Sequence, residues 1–461
     1  MRAKKLYAAL LAVMVMLGTA GCGNAQTAQG AAQNTATEVS GDTSASGQTV
    51  EGVQAQENQT EFDKATETEA AVSEGSQEAG GEDMAENDII EVPEWEAVEI
   101  PENDALQFVE ALQLGWNLGN TFDATNCGVK DEMEYESAWV GVVTTREMIH
   151  TIAESGFQTI RIPVSWHNHV DENDNISEAW LNRVQEVVDW AREEDLYVIL
   201  NIHHDNEKGF MYPSYEDLDR SKEYVRHIWE QLAVRFADYD ERLIFETLNE
   251  PRQTETDHEW WIDANSDIGK ECIDCVNQLN QTAVDAIREN GTGYNTTRYI
   301  MVPGYCASPD YALTDGYVLP TDKAAAENRL LVSVHAYTPY NFALAGENDQ
   351  NSTEVFSIAE RKGTADIDLF MKRLYDKFIS KGTAVVIGEF GARNKNNNLE
   401  ARTEFAAYYV AQARHYGMTA CWWDNNAFGG DGENFGLLRR VKNQILFPQI
   451  VEQMVHYSKT E

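Results

Sequence analysis

The chain has 461 residues, of which 43% are hydrophobic and 24% charged, and its formal net charge is −42. This length exceeds one ordinary domain but accommodates a barrel with appended segments. Nucleic acids and anionic lipid surfaces both attract basic patches, so the strong acidity argues against either as a partner.

The N-terminus has the pattern of an export signal. A basic start precedes an apolar run, Leu6 to Leu17, which is too short to span a bilayer. Small residues then lead to Cys22, as in a bacterial lipoprotein cleavage site, although Thr19 stands where such sites usually carry leucine. We therefore expect residues 1–22 to be a lipoprotein-type signal peptide. It would export the protein to the cell surface, with membrane contact only through a lipid on Cys22, and the alternative is plain secretion.

Residues 23–93 are dominated by Ala, Gln, Thr, Ser, Gly and Glu and contain few aromatic residues. Such a segment cannot bury enough apolar surface to offset its chain entropy, so it is predicted to be a disordered acidic linker. Residues 94–461 are then the folded domain.

Eight short apolar runs alternate with helical patterns in the folded part. The runs are Leu114–Leu118, Thr159–Val164, Tyr197–Asn201, Leu243–Leu248, Tyr299–Val302, Leu330–Val334, Ala384–Ile387 and Thr419–Trp422. The helical patterns include residues 181–190, 224–236, 276–287 and 405–415. Strict alternation of this kind predicts an α/β fold with a parallel sheet, and eight pairs favour a (β/α)8 TIM barrel. An open doubly wound sheet is the alternative, but a glycine-rich phosphate loop is absent.

In such a barrel the chemistry lies at the carboxyl ends of the strands. Glu250 follows the fourth run, which is expected to end at Pro251, and Glu389 follows the seventh. The other polar and aromatic residues at strand ends are Asn117, Arg161, His203, His204, Asn249, His335, Tyr337 and Trp423. Two glutamates among aromatic residues suit the cleavage of a glycosidic bond.

Two patterns could suggest a metal site. His203, His204 and Asp205 are all potential ligands, but neighbouring residues of a strand point to opposite faces, so they are poorly placed for one ion. Cys272 and Cys275 form a lone C-x-x-C pair, which we interpret as ordinary thiols. We expect neither a metal nor an organic cofactor.

Seven motifs follow one another along the folded part. They are GWNLGNT at 115–121, RIPVSW at 161–166, NIHHD at 201–205, NEPR at 249–252, VHAY at 334–337, IGEFG at 387–391 and WWDN at 422–425. Through these motifs the chain resembles glycoside hydrolase family 5, the retaining cellulase-type barrel enzymes, and within it the branch of bacterial endoglucanases and xyloglucanases. The resemblance covers roughly residues 106–455.

The resemblance implies that Glu250 is the acid/base and Glu389 the nucleophile. Arg161 and Tyr337 are expected to keep Glu389 ionised. The negative nucleophile is expected to raise the pKa of Glu250, so that the two carboxyl groups titrate as a coupled pair.

The remaining rim residues are expected to bind the sugar. Asn249 would contact the sugar 2-hydroxyl, the three histidines would hold hydroxyl groups or orient the glutamates, and Trp423 would offer an apolar face. Trp116, Trp139 and Trp166 are further candidates for the cleft, whereas packing is favoured for Trp260, Trp261 and Trp422.

The predicted function is that of a monomeric endo-β-1,4-glucanase (cellulase) acting on a β-glucan polysaccharide such as cellulose. Xyloglucan, mixed-linkage β-glucan, mannan or xylan are alternative substrates on the same scaffold, because specificity lies in the loops. A non-catalytic, glycan-binding surface lipoprotein is the remaining alternative.

Overall fold

A computed structural model describes residues 89–290, 292–346, 348–430 and 432–459. The predicted signal peptide, Cys22 and almost the whole of the predicted linker lie outside these residues. Their assignment, and the boundary at residue 94, stay predictions.

Eight parallel strands close into a barrel in which each strand pairs with its neighbours in chain order and β1 pairs with β8. The strands are β1 Leu114–Leu118, β2 Thr159–Ile162, β3 Tyr197–Asn201, β4 Leu243–Glu246, β5 Ile300–Pro303, β6 Leu330–His335, β7 Val385–Phe390 and β8 Thr419–Asp424. The (β/α)8 barrel and all eight predicted strand positions are confirmed. The open sheet is excluded because the first and last strands are hydrogen-bonded to each other.

The ends of β4 and β7, the strands associated with Glu250 and Glu389, differ from the prediction. β4 stops at Glu246, not at Pro251, and only the N–H of Thr247 still bonds to the neighbouring strand, at 3.0 Å from the carbonyl of Met301. Glu250 therefore lies in the loop after β4. β7 instead continues to Phe390, so that Glu389 lies within the strand.

Helices surround the barrel and join its strands. Their bounds are α1 Asp104–Leu112, α2 Tyr135–Ala138, α3 Arg146–Glu154, α4 Glu178–Glu193, α5 Leu218–Arg235, α6 Asp267–Glu289, α7 Pro309–Ala312, α8 Tyr340–Ala343, α9 Thr364–Lys377, α10 Leu399–His415 and α11 Pro448–Ser458. In α4 the buried residues Leu181, Val184 and Val188 recur at helical spacing, so one apolar face packs on the barrel. The four predicted helical patterns lie in α4, α5, α6 and α10.

A small antiparallel pair, β9 Leu438–Arg439 and β10 Gln444–Ile445, follows the barrel. Cys272 and Cys275 lie buried on α6 as free thiols. Within the described ranges, no helix combines the length and the hydrophobicity needed to cross a bilayer.

Candidate active site

The two glutamates singled out from the sequence meet at the carboxyl-terminal rim of the barrel. One carboxylate oxygen of Glu250 and one of Glu389 lie within 4.8 Å of each other, and a ring nitrogen of His335 lies within the same distance of both. His335 Nδ1 is 2.9 Å from Glu250 Oε1 and 3.6 Å from Glu389 Oε1. The three side chains therefore form one cluster, in which His335 is hydrogen-bonded to Glu250 and lies beside Glu389.

An irregularity in strand pairing brings His335 against Glu389. Val334 pairs with Ile387, but His335 pairs with Glu389, so β7 carries one extra residue, Gly388, at this point. A Cβ on Gly388 would lie 3.0 Å from His335 Nε2 and 3.4 Å from Glu246 Oε1. Glycine is thus the residue that permits this close approach.

Arg161 lies at the centre of the rim and is fully buried. Its Nη1 donates to Glu389 Oε1 at 2.8 Å, and its Nε donates to Glu246 Oε2 at 2.8 Å. Its Nη2 donates to Asn249 Oδ1 at 2.7 Å. The guanidinium fork therefore fixes Glu389, Glu246 and Asn249 in one geometry, and the two carboxylates raise the pKa of Arg161 against the opposing effect of burial.

Glu246 is the main member of the site that sequence reasoning missed. It is fully buried, and it accepts hydrogen bonds from Ser333 Oγ at 2.6 Å and Asn201 Nδ2 at 2.9 Å in addition to the Arg161 ion pair. Burial alone would raise its pKa, but Arg161 and His335 outweigh burial and lower the pKa to about 2. The sequence signal that could have identified Glu246 was its position inside an apolar strand, because a buried carboxylate there requires a buried cation as partner.

Glu389 is held on both oxygens. Arg161 bonds Oε1, and the hydroxyl of Tyr337 donates to Oε2 at 2.8 Å. Donors of this kind stabilise the ionised form that a nucleophile needs. The expected roles of Arg161 and Tyr337 as partners of Glu389 agree with these contacts.

The expected distribution of pKa values within the pair is wrong for the unliganded site. Burial pushes the pKa of Glu250 upward, but the hydrogen bond and charge of His335 outweigh burial and place this pKa below its ordinary value. Burial raises the pKa of Glu389 against His335 and Arg161. His335 itself is raised to a pKa of about 9 by Glu389, Glu246 and Glu250 despite its burial. The raised pKa of His335 favours its protonated form, one hydrogen bond away from Glu250.

Asn117 was predicted to bind substrate, but its amide is engaged inside the barrel. Its Nδ2 donates to the carbonyls of Gly388, Cys421 and Trp422, and its Oδ1 accepts from Arg161 at 2.9 Å. Asn117 thus orients Arg161. Asn249 differs, because only its Oδ1 bonds Arg161, which leaves the NH2 group as the end that can donate to a sugar hydroxyl.

His203 and Trp423 stack at the site, with nearly parallel rings whose centroids are 5.8 Å apart. His204 is partly exposed, and the exposed Trp139 lies 5.9 Å from its ring. Burial lowers the pKa of both histidines, to about 4 for His204, so both are neutral at pH 7. Neutral imidazoles beside indole faces suit the hydroxyl groups and apolar faces of a sugar.

Asp123, His203 and His204 also bring three potential metal ligands within 4.8 Å of one another. Both oxygens of Asp123 already accept backbone N–H groups, from Thr121 at 2.6 Å and Asn120 at 3.1 Å. The Nδ1 of His203 pairs with Asn201 Nδ2 at 3.1 Å. Asp123 and His203 therefore already have hydrogen-bond partners within the protein.

Two tryptophans proposed for the cleft are structural. Trp116 and Trp166 are fully buried, and their indole N–H groups donate to Asp424 Oδ2 at 3.0 Å and to the carbonyl of Asn201 at 2.9 Å. Trp422 packs in the core, as expected. Trp260 and Trp261, for which packing was favoured, are instead 59% and 57% exposed. The sequence pattern cannot distinguish the buried tryptophans from the exposed ones, because the burial of each indole depends on how distant segments pack around it.

A (β/α)8 barrel that presents two carboxylates side by side at its carboxyl rim, one buried and one partly exposed, defines the class of barrel glycoside hydrolases. The family model for cellulase (glycosyl hydrolase family 5) matches residues 122–429. The chain belongs to this family.

Relatives and solved structures agree with this assignment. The chain is 40% identical to endoglucanase A of Clostridium longisporum and 39% identical to endoglucanase 1 of Ruminococcus albus, over 76% and 77% of its own length. The matches span 65% and 82% of those two proteins. A family 5 lichenase from a Caldicellulosiruptor species is 52% identical, with a TM-score of 0.78 over 80% of this chain and 100% of that one. A broad-specificity endoglucanase from Clostridium longisporum is 37% identical, with a TM-score of 0.70 over 78% and 99%.

Proposed function

We propose that the protein is a retaining endo-β-1,4-glucanase that hydrolyses internal β-1,4-glucosidic bonds of a β-glucan polysaccharide. The observation that carries this proposal is the approach of Glu250 and Glu389 to within 4.8 Å. Retaining enzymes hold their carboxyl groups about 5–5.5 Å apart, whereas inverting enzymes leave room for a water at about 6.5–9.5 Å. The cellulase and endoglucanase relatives support the choice of a glucan.

In the first step the Glu389 carboxylate attacks the anomeric carbon and the glycosidic C–O bond breaks. The leaving oxygen takes its proton from Glu250, which receives it from His335 across the 2.9 Å hydrogen bond. Arg161 and Tyr337 orient the attacking carboxylate through their hydrogen bonds to its two oxygens. The product is a glycosyl ester on Glu389.

In the second step a water attacks the ester and passes its proton to Glu250, so that Glu389 leaves as a carboxylate. Once Glu389 is a neutral ester it no longer repels a charge on Glu250, which therefore acts as the base. Asn249 would donate to the sugar 2-hydroxyl in both steps. Two carboxyl groups and an imidazole supply every proton transfer.

The test is a substrate panel incubated with the full chain: carboxymethyl cellulose, mixed-linkage β-glucan, xyloglucan, mannan and xylan. We expect oligosaccharides of intermediate size from a β-glucan at early times, and NMR should show the β-anomer as the first product. Release of the α-anomer would contradict retention, and preferential hydrolysis of mannan or xylan would contradict the glucanase assignment. Binding without hydrolysis would favour the glycan-binding alternative.

A second candidate is mixed-linkage β-glucan as the preferred substrate. The specific observation is the 52% identity to a family 5 lichenase, which exceeds the 37% identity to the Clostridium longisporum endoglucanase structure. A higher kcat/KM on mixed-linkage glucan than on carboxymethyl cellulose would favour this candidate, and the reverse ratio would favour cellulose.

We also propose that the enzyme acts outside the cell as a monomer held by a lipid on Cys22. The basic start, the short apolar run and the small residues before Cys22 support this location. Labelling cells with a radioactive fatty acid tests it: wild type should carry label in the membrane fraction, and Cys22→Ala should not. Unlabelled wild-type protein in the medium would indicate plain secretion.

A further inference from the structure

Arg252 lies two residues beyond Glu250 and is enclosed between this acid and an exposed indole. Its Nη1 donates to the Glu250 carbonyl at 3.1 Å and lies 3.5 Å from Glu250 Oε2. Its Cζ lies 4.0 Å from the centre of the Trp260 ring. The guanidinium is thus covered on one side by the ring and faces the carboxylate with its nitrogen edge.

The loop is built to keep this arrangement. Asn206 accepts from the N–H of Arg252 at 3.2 Å and donates to the Glu250 carbonyl at 3.2 Å, so one amide ties both residues together. Trp260 is 59% exposed, although its inner face covers Arg252. A guanidinium on a tryptophan face is held by cation–π attraction, which strengthens as water is excluded. Trp260 therefore acts as a cap on Arg252.

We propose that Arg252, capped by Trp260, is a positioning residue that sets the proton affinity of the Glu250–His335 pair and thereby the alkaline limit of hydrolysis. The guanidinium is positive at every working pH, so it opposes binding of the proton that the acid needs. This inference rests on the proposed function for its consequence in catalysis. The contacts themselves do not depend on the substrate.

Other charged groups also face the acid. His335 at the end of β6, Glu389 on β7 and His204 after β3 act on Glu250 together with Arg252. Glu433, in the loop after β8, also lies within electrostatic range of the acid. All of these groups remain when Arg252 is replaced. A shift of the pH profile between variants therefore reports the charge at position 252.

Arg252 has further neighbours of its own. Glu259 Oε1 lies 3.6 Å from Nε, and the Cys306 thiol interacts electrostatically with the guanidinium. Burial raises the pKa of this thiol well above its usual value, so it stays neutral through the working range. Glu259 partly offsets the positive charge, which limits the expected shift.

The experiment measures kcat/KM against pH on a soluble β-glucan, because the alkaline limb reports loss of the proton required by the free enzyme. Arg252→Met removes the charge and should move this limb upward by about one pH unit. Arg252→Lys keeps the charge and should leave the limb near that of wild type. Trp260→Ala should move it in the same direction by less, because the uncapped guanidinium then reaches water.

Trp261→Ala is the matched control, since Trp261 is equally exposed and its removal leaves the indole on Arg252 in place. The alkaline limb of the kcat/KM profile should not move in Trp261→Ala, even if KM changes. An unchanged limb in Arg252→Met, with a fall in kcat alone, would show that Arg252 only supports the loop and would overturn the inference. An equal shift in the Trp261→Ala control would overturn the role of Trp260.

A second measurement separates this inference from the proposed function. NMR titration of the His335 imidazole needs no turnover, and its pKa should rise in Arg252→Met relative to Arg252→Lys. If wild type hydrolyses no glucan, the proposed function fails while this titration still decides the role of Arg252. An identical His335 titration in both variants would overturn it.

Discussion

Two arginines are buried at opposite ends of the barrel, and their partners differ. Arg161, on β2 at the carboxyl rim, pairs with the carboxylates Glu246 and Glu389. Arg298, just before β5 at the amino end, lies over the Phe245 ring and bonds main-chain oxygens. These oxygens belong to Phe236, Tyr239, Asp240 and Leu243.

The difference separates an arginine that holds the carboxylates of the site from an arginine that ties chain segments together. The carboxylates around Arg161 raise its pKa, whereas burial without a carboxylate partner in contact lowers the pKa of Arg298 to about 9. Carbonyl acceptors satisfy a guanidinium and tie chain segments together, but they offer no group that reacts. Changes at the carboxyl rim should therefore alter turnover, and changes at the amino end should alter stability.

The largest effect should come from Glu389→Ala, which removes the proposed nucleophile. We expect activity on any glucan to fall by roughly 10⁴-fold or more, since covalent catalysis fails completely. Circular dichroism and the melting temperature should stay near those of wild type. Glu400→Ala, an exposed glutamate on α10, is the control and should keep full activity. Turnover of Glu389→Ala near the wild-type rate would contradict the role of Glu389.

Glu250→Ala should lower turnover of polysaccharides by roughly 10²- to 10⁴-fold, the usual contribution of a general acid. An aryl glucoside whose leaving group departs without protonation should keep most of its bond-cleavage rate, because the proposed nucleophile, Glu389, is intact. Burst kinetics on that substrate measure the first step directly. Equal losses on both kinds of substrate would refute the acid role.

Arg298→Met tests the other end of the barrel. It leaves several buried carbonyls without their donor, so the free energy of unfolding should fall by roughly 3–5 kcal/mol. The kcat of the folded fraction should not change. Arg373→Met, which removes an exposed ion pair with Asp310, should cost at most about 1 kcal/mol. A fall in kcat of Arg298→Met without a loss of stability would contradict the contrast between the carboxyl rim, which serves turnover, and the amino end, which serves stability.

The pH dependence of stability should show the smallest effect. The pKa of His335 is raised to about 9, so its stabilisation is complete below the ordinary value of 6.5 and is lost as the pH rises towards 9. The loss should reach at most about 3 kcal/mol. Denaturant titrations at pH 6.5 and 9 measure it, and His335→Gln should lack this loss. A parallel decline in the variant would assign it to other groups.

Acid should act through different residues. The pKa of Glu246 is lowered to about 2, so its stabilisation is present above the ordinary value of 4.5 and is lost as the pH falls towards 2. His204, neutral with a pKa of about 4, adds a loss as the pH falls from 6.5. Glu246 and His204 both lie at the rim. Arg298, at the other end of the barrel, has a pKa of about 9 and does not titrate in this acidic range.

The sequence alone determined the barrel and the position of its chemistry. Apolar runs of strand length alternate with helical patterns eight times, and a parallel sheet with this alternation closes into few architectures. Glu250 and Glu389 were identifiable because two glutamates near strand ends occur together with seven family motifs in order, whereas one such glutamate would be weak evidence.

Only the tertiary structure decided what each polar group contacts. Asn117 and Trp166 look like rim residues in the chain, yet their polar atoms bond within the barrel. The ion pair between Glu246 and Arg161 joins residues 85 positions apart, and the capping of Arg252 by Trp260 depends on how a loop folds back. Hydrogen bonds and pKa values depend on distances of a few ångströms between distant segments, and local sequence patterns carry no information about such distances.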